Sequence, residues 1–96
     1  MARYTLNLTG VTLKDFVRTT SHVKTPYREA THENYTLEKD GFTISIQEFF
    51  DDYYGLTLYG PNGYNGGTGG HTAEQCLETL LNIKQLNEGY DADLIV

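Results

Sequence analysis

The chain has little of several things that would narrow its function. It has one cysteine, no tryptophan and two prolines in 96 residues. With Cys76 alone no internal disulfide can form, which favours a reducing compartment. No run of 18 apolar residues occurs and no apolar signal segment follows Met1, so neither membrane spanning nor secretion is expected. We therefore expect a single cytoplasmic domain, residues 1–96, that does not associate with membranes.

Positive charge is also missing from much of the chain. The first forty residues carry six basic and five acidic side chains, whereas residues 41–96 carry one basic and eight acidic, and the net charge is −6. The negative electrostatic field of this charge distribution attracts basic surfaces and repels nucleic acids and anionic membranes. The composition therefore predicts a protein partner with a basic surface and no direct binding to nucleic acid. The segment between Lys39 and Lys84 lacks Lys and Arg and contains six acids: Asp40, Glu48, Asp51, Asp52, Glu74 and Glu78.

Alternating apolar and polar residues predict most of the sheet. Residues 4–9 alternate in this way, as do residues 35–38, 42–47 and 54–58, each typical of a half-buried strand. Asp40-Gly41 is a hairpin turn signal between the second and third of these. Three of the strands follow one another through short connections, which predicts an antiparallel meander.

Helix signals occur at two places. Thr72 and Gln75 form a capping-box pattern before an apolar stripe that includes Cys76, and Gly89 is a natural end, so a helix is predicted over about 73–88. Cys76 lies on the apolar side and is expected to be a buried, inert thiol. Val11, Thr12 and Phe16 predict a short helix over 13–20 that begins with a hydrophobic staple.

The remaining segments show no period. Residues 21–33 and the glycine-rich 60–71 are therefore predicted to be loops, and the tail from Tyr90 is expected to add an edge strand or contact a partner. The predicted fold class is α+β, in the order β-α-β-β-β-α. An antiparallel three- to four-stranded sheet packs on the C-terminal helix, and the short N-terminal helix covers part of the same core.

The acidic and aromatic stretch from Glu48 to Tyr54 is the main candidate site. Phe49 or Phe50 is expected to continue the inward register, while strand alternation turns other aromatic side chains outward. Exposed tyrosines are common at protein interfaces, and acids beside them suit a basic partner. The predicted partner-binding residues are Glu48, Phe50, Asp51, Asp52, Tyr53, Tyr59 and Tyr64.

The glycine segment supports an alternative. Gly60–Thr72 leads into a helix N-terminus, where backbone N–H groups can bind an anion or a nucleotide. His71-Thr72 stands where a Walker A loop needs Lys and Ser/Thr, and Thr72 stands where a dinucleotide fingerprint needs glycine. The ligand-binding residues of this alternative are Gly67, Gly69, Gly70, His71 and Thr72.

No nucleophile–base pair and no diagnostic metal-ligand spacing is recognisable, so no enzyme, metal or cofactor is expected. In size, acidity and single cysteine the chain resembles the small inhibitors that phages and mobile elements encode, anti-CRISPR proteins among them. This resemblance concerns the class and depends on no motif. It implies an inhibitor that docks on a nucleic-acid-binding surface of a partner protein, its acids standing in for phosphates. A homodimer and a subunit of a larger assembly stay open as alternatives.

Overall fold

Strands make up most of the described chain. The computed structural model describes residues 4–50, 52–82 and 92–95, with only the backbone of Phe50 and Ala92. Its strands and helix, in chain order, are β1 (Tyr4–Asn7), a 3₁₀ turn (Leu13–Asp15), β2 (Val17–Lys24), β3 (Glu29–Lys39), β4 (Phe42–Phe50), β5 (Tyr53–Gly60), β6 (Gly63–Gly70), α1 (Ala73–Asn82) and β7 (Ala92–Ile95).

The main sheet is an antiparallel meander in which each strand pairs with the next, in the order β2-β3-β4-β5-β6. Asp40 and Gly41 form the β3–β4 turn with φ of 53° and 83°. Both values lie in the left-handed region that an Asp-Gly hairpin turn requires. The α+β class, the antiparallel sheet and the C-terminal helix are thus confirmed, and the sheet has five strands rather than three or four.

One face of this sheet carries the core. Leu37 pairs with Ile44, and Ile44 with Leu58, so these side chains point to the same side. We call this side the inner face. Ile44 and Leu58 are fully buried there, and α1 covers the inner side of β4, β5 and β6 with side chains that include Cys76 and Leu80. The predicted burial of Cys76 is confirmed.

Strand β1 forms a separate parallel pair with β7 and completes the core. Leu6 and Leu8 are buried in the same cluster as Phe42, whose ring lies edge-on to that of Tyr4 at 6.4 Å. The N–H of Asn7 donates to Asp40 at 2.9 Å, which ties β1 to the β3–β4 turn. The strand predicted at residues 4–9 is therefore present as β1, but in this parallel pair and not in the antiparallel sheet. Of the two expectations for the tail, an edge strand or a partner contact, β7 is a strand that pairs with β1.

The predicted helix over 13–20 is wrong. The capping box of Thr12 and Asp15 is present, but it begins only a 3₁₀ turn, and the chain is extended again from Val17. Phe16 is buried, whereas Val17 is 67% exposed, so the apolar stripe that would hold a helix against the core is broken. Backbone pairing with β3 replaces the helix.

The loop predicted for residues 21–33 is also wrong. Residues 21–33 instead lie in a hairpin formed by β2 and the first half of β3, with its turn at Thr25–Arg28. All eight residues of β2 are exposed. Because neither of its faces is buried, the strand has no alternating pattern that sequence could reveal.

The glycine-rich segment 60–71 is a strand too. Gly63–Gly70 forms β6 and pairs with β5 from Tyr54↔Gly70 to Gly60↔Gly63, with an irregularity beside Leu58. The helix is described over Ala73–Asn82, and the rest of the predicted 73–88 lies outside the described residues. Within the described part of the chain, no helix is long and apolar enough to cross a membrane.

Candidate functional site

The side of the main sheet opposite the core is exposed. Thr57 of β5 lies opposite Ser45 of β4 and Gly67 of β6, and Tyr59 lies opposite Thr43 and Tyr64. Residues directly opposite one another in a sheet share a face. We call this side the outer face. On β4, β5 and β6 it consists of Thr43, Ser45, Gln47, Phe49, Tyr53, Gly55, Thr57, Tyr59, Tyr64, Gly67 and Gly69.

Aromatic rings on this face lie over glycines. A Cβ atom on Gly55 would stand 2.5 Å from the Phe49 ring. On Gly69 it would stand 3.3 Å from the Tyr53 hydroxyl oxygen, and on Gly67 3.6 Å from that of Tyr64. Aromatic side chains that cover glycines protect the backbone and keep the strands in register. The glycines therefore leave room for Phe49, Tyr53 and Tyr64 to approach the backbone of β5 and β6.

The rings form two pairs. The centroids of Phe49 and Tyr53 are 6.1 Å apart, and those of Tyr59 and Tyr64 are 6.3 Å apart in an edge-to-face arrangement. All four side chains are between 46% and 62% exposed. None of the outer-face side chains described on β4, β5 and β6 is charged. The result is a broad surface of aromatic rings, hydroxyls and one amide.

The structure brings together some of the predicted partner-binding residues and separates others. Tyr53, Tyr59 and Tyr64 share the outer face, and the exposed Asp52 lies in the β4–β5 turn beside Tyr53, with φ of 61°. Glu48 is turned away from them and is only 18% exposed. The Phe50 side chain and Asp51 lie outside the described residues.

Phe49 or Phe50 was expected to continue the inward register. Phe49 lies on the outer face, and the side chain of Phe50 lies outside the described residues. The pairing of β4 with β5 shifts between Glu48 and Phe50. Phe49 nevertheless continues the alternation of Thr43, Ser45 and Gln47 on β4, so it points outward with them. Phe49 is the outer-face aromatic that was left out of the predicted partner-binding residues, and the alternation along β4 was the signal that could have found it.

Glu48 belongs to a polar cluster where the β2–β3 hairpin leaves the sheet. Its carboxylate accepts from the backbone N–H of Glu33 at 3.1 Å, and Nδ1 of His32 lies 3.8 Å away. Glu33 in turn accepts from the hydroxyls of Tyr35 and Tyr54 at 3.0 and 3.2 Å and from the Arg18 guanidinium at 2.5 Å. The cluster therefore fastens the hairpin to the sheet, which is a structural role for Glu48.

This cluster shifts the pKa of Glu33 and the pKa of Tyr54 in opposite directions. The hydrogen bond from Arg18, followed by that from Tyr35, lowers the pKa of Glu33. Burial raises the pKa of Tyr54, and the negative charges of Glu33 and Glu48 raise it further. The native arrangement thus favours an ionised Glu33 and a neutral Tyr54.

The lowered pKa of Glu33 predicts a specific loss of stability in acid. Because the folded-state pKa lies below the ordinary value of 4.5, this stabilisation is complete above pH 4.5 and disappears as the pH falls through the lowered pKa. Urea unfolding from pH 7 to pH 2 should therefore show wild type more stable than Glu33→Gln at neutral pH. That difference should vanish in acid. A difference that did not change with pH would contradict the assignment.

The residues of the ligand-binding alternative are spread over two elements. Gly67 and Gly69 lie on the outer face of β6, whereas Gly70 lies on the inner side against Gln75 and Cys76. At the start of α1, the N–H of Gln75 donates to the Thr72 hydroxyl at 3.0 Å, and the N–H of His71 donates to the Gln75 side chain at 2.8 Å. The chain's own capping groups occupy these positions, and the alternative stays a prediction.

Two further groups of residues were considered for chemistry. In residues 4–50, 52–82 and 92–95, no group of three or more His, Cys, Asp and Glu side chains could hold a metal ion. Burial raises the pKa of Cys76, whose thiol donates to the Tyr54 carbonyl at 3.5 Å. His71 lies apart from it, with Nδ1 3.0 Å from the Asp52 carbonyl oxygen.

No family model, curated protein or solved structure matches the chain.

Proposed function

We propose that the chain is a non-enzymatic protein-binding module whose outer face receives an arginine-rich, basic surface of another protein. The observation that carries this proposal is the set of half-exposed aromatic rings on the outer face of β4, β5 and β6, where no described side chain is charged. Rigid aromatic side chains with polar tips bury a large area at low entropic cost, and they are enriched where proteins meet.

Arginine fits this surface better than other polar residues. The guanidinium group is planar and weakly hydrated, and it stacks on aromatic rings while its N–H groups donate to nearby acceptors. Thr43, Ser45, Gln47 and Thr57 supply acceptor oxygens between the rings. The exposed Asp52 adds a carboxylate at one end of the face.

The charge of the chain supports the same partner. No Lys or Arg occurs between Lys39 and Lys84, so the outer face of β4, β5 and β6 presents no cation that would repel a basic surface. A net charge of −6 also favours encounter with a basic partner and disfavours nucleic acid. If the partner uses that basic surface to bind nucleic acid, then occupation by this chain inhibits it.

Removal of two ring side chains is expected to weaken binding of a defined basic probe. We expect a ten-residue arginine-rich peptide to shift the NMR signals of outer-face amides. A lysine peptide of equal charge should bind the protein more weakly. In the double variant Tyr59→Ser/Tyr64→Ser the affinity should fall about tenfold, since each exposed cation–π contact contributes about 0.5–1 kcal/mol. NMR titration at two salt concentrations measures the difference between the two peptides and the difference between the wild type and the double variant.

Tyr27→Ser is the matched control. Tyr27 is 97% exposed in the β2–β3 turn, far in sequence from the outer-face rings, so its loss should leave the affinity unchanged. The proposal would be overturned by equal affinity in the wild type and the double variant. Signal changes confined to α1 would also overturn it.

A further inference from the structure

The two edges of the main sheet differ in their protection. An edge strand presents unpaired backbone N–H and C=O groups, and proteins usually protect it with charged side chains or prolines. The β2 edge carries Arg18 and Lys24, whereas β6 carries no charged residue and no proline. Within the described residues, β6 pairs with β5 alone. Along Gly67–Gly70, no other described strand pairs with its second side.

A groove runs beside this open edge. It has a volume of about 420 Å³ and lies between the end of β6 and α1, lined by Gly69, Gly70, Gln75, Glu78, Thr79 and Asn82. An extended segment that adds to a sheet edge next to a helix forms main-chain hydrogen bonds with the strand and places alternate side chains against the helix. The open edge and the groove together provide both contacts.

The lining of the groove selects the chemistry of the added segment. Side chains directed toward α1 meet the carboxylate of Glu78 and the polar groups of Gln75, Thr79 and Asn82, with no basic residue among the lining side chains. Side chains directed the other way continue the outer face next to Tyr64. A segment that alternates lysine or arginine with apolar residues satisfies both sides.

We infer that β6 is a docking edge that takes an extended, basic segment of a partner protein as a sixth strand beside α1. The basic nature of the partner comes from the proposed function, but the contact surface is different. A second copy of this chain fits the edge less well, because pairing β6 with β6 of another copy brings two Glu78-bearing helices of the same negative charge together.

A peptide alternating valine and lysine over six residues tests strand addition. Only every second N–H of an added strand points at the edge. Of two peptides N-methylated at alternate positions, in opposite registers, one should therefore bind like the parent. The other should bind at least about tenfold more weakly, since it loses its main-chain hydrogen bonds. Hydrogen exchange of the β6 amides should slow with the parent peptide.

Variants of α1 test the groove. Glu78→Lys should weaken peptide binding about fivefold through charge reversal, and Thr79→Trp should block it by filling the groove. Glu74→Lys is the matched control, since it makes the same charge change on the same helix but lines a different groove with Val11 and Leu13. Thermal unfolding of each variant confirms that it is folded.

Three outcomes would overturn the inference. The first is equal binding of both N-methylated peptides, and the second is a loss of binding in Glu74→Lys as large as that in Glu78→Lys. The third is protection of β6 amides that rises with protein concentration when no peptide is present. The arginine-peptide titration of Glu78→Lys keeps the two proposals separate, because that variant leaves the outer face intact. If Glu78→Lys binds the valine–lysine peptide more weakly but binds the arginine peptide as the wild type does, neither proposal is contradicted. The docking edge fails only in the valine–lysine peptide assay, and the outer-face proposal fails only in the arginine-peptide assay.

Discussion

Leu58→Ala is expected to lower the free energy of unfolding by about 2–5 kcal/mol. Leu58 is fully buried and lies between Ile44 of β4 and Gly66 of β6. Gly66 has no side chain that can move into the space left behind, so the cavity should persist and the cost should lie in the upper part of this range. The free energy of unfolding of native domains is about 5–15 kcal/mol, so this one substitution removes a large part of the total stability.

Urea unfolding followed by circular dichroism measures this loss, since the chain has no tryptophan. Val17→Ala is the matched control: Val17 is also an apolar strand residue but is 67% exposed. Its truncation should change the stability by no more than about 0.5 kcal/mol. Similar losses in the two variants would show that Leu58 is not part of a packed core.

Gly67→Ala is expected to cost about 1–3 kcal/mol, the range for forcing extra volume into a packed site. A Cβ atom on Gly67 would stand 2.7 Å from the backbone carbonyl oxygen of Leu56. A backbone atom cannot move aside without shifting β5, so the β5–β6 pairing must open. The Tyr64 hydroxyl would be 3.6 Å from the new Cβ, an ordinary contact, so the clash is with the backbone of β5.

Gly69→Ala is the control that distinguishes this steric clash from the general effect of replacing a glycine in β6. Its nearest backbone contact would be 3.3 Å, to the Tyr54 carbonyl oxygen, and the Tyr53 hydroxyl at the same distance is the end of a side chain that can move. Thermal unfolding should therefore rank wild type above Gly69→Ala and Gly69→Ala above Gly67→Ala. The reverse order of the two variants would contradict the close approach of β5 and β6 at Gly67.

The sequence predicted the strands that bury one face. Alternation at Ile44, Ile46, Leu56 and Leu58 reveals β4 and β5, because each buried residue is followed by one that is partly or fully exposed. Strand β2 is exposed throughout, and β6 is mostly glycine, so neither has a period that could be read. Both strands are defined by backbone pairing with a neighbour, which single-sequence patterns do not encode.

The candidate site was predictable to a similar extent. Outward-facing tyrosines follow from strand alternation, and Tyr53, Tyr59 and Tyr64 do share a face. Glu48 was grouped with them because it is close in sequence, but it follows Ile44 and Ile46 on the opposite face and accepts from the N–H of Glu33. The contact between Glu33 and Tyr54 joins residues 21 positions apart and depends on the register of three strands.

The parallel pair of β1 and β7 has a consequence for the order of folding. Every pairing in the meander joins neighbouring strands, whereas Tyr4 pairs with Ala92 from the opposite end of the described chain. Closing so long a loop costs more entropy than closing a hairpin. Contacts between distant residues also slow folding. The meander can therefore assemble from local hairpins, and the β1–β7 pair closes over a sheet that is already formed.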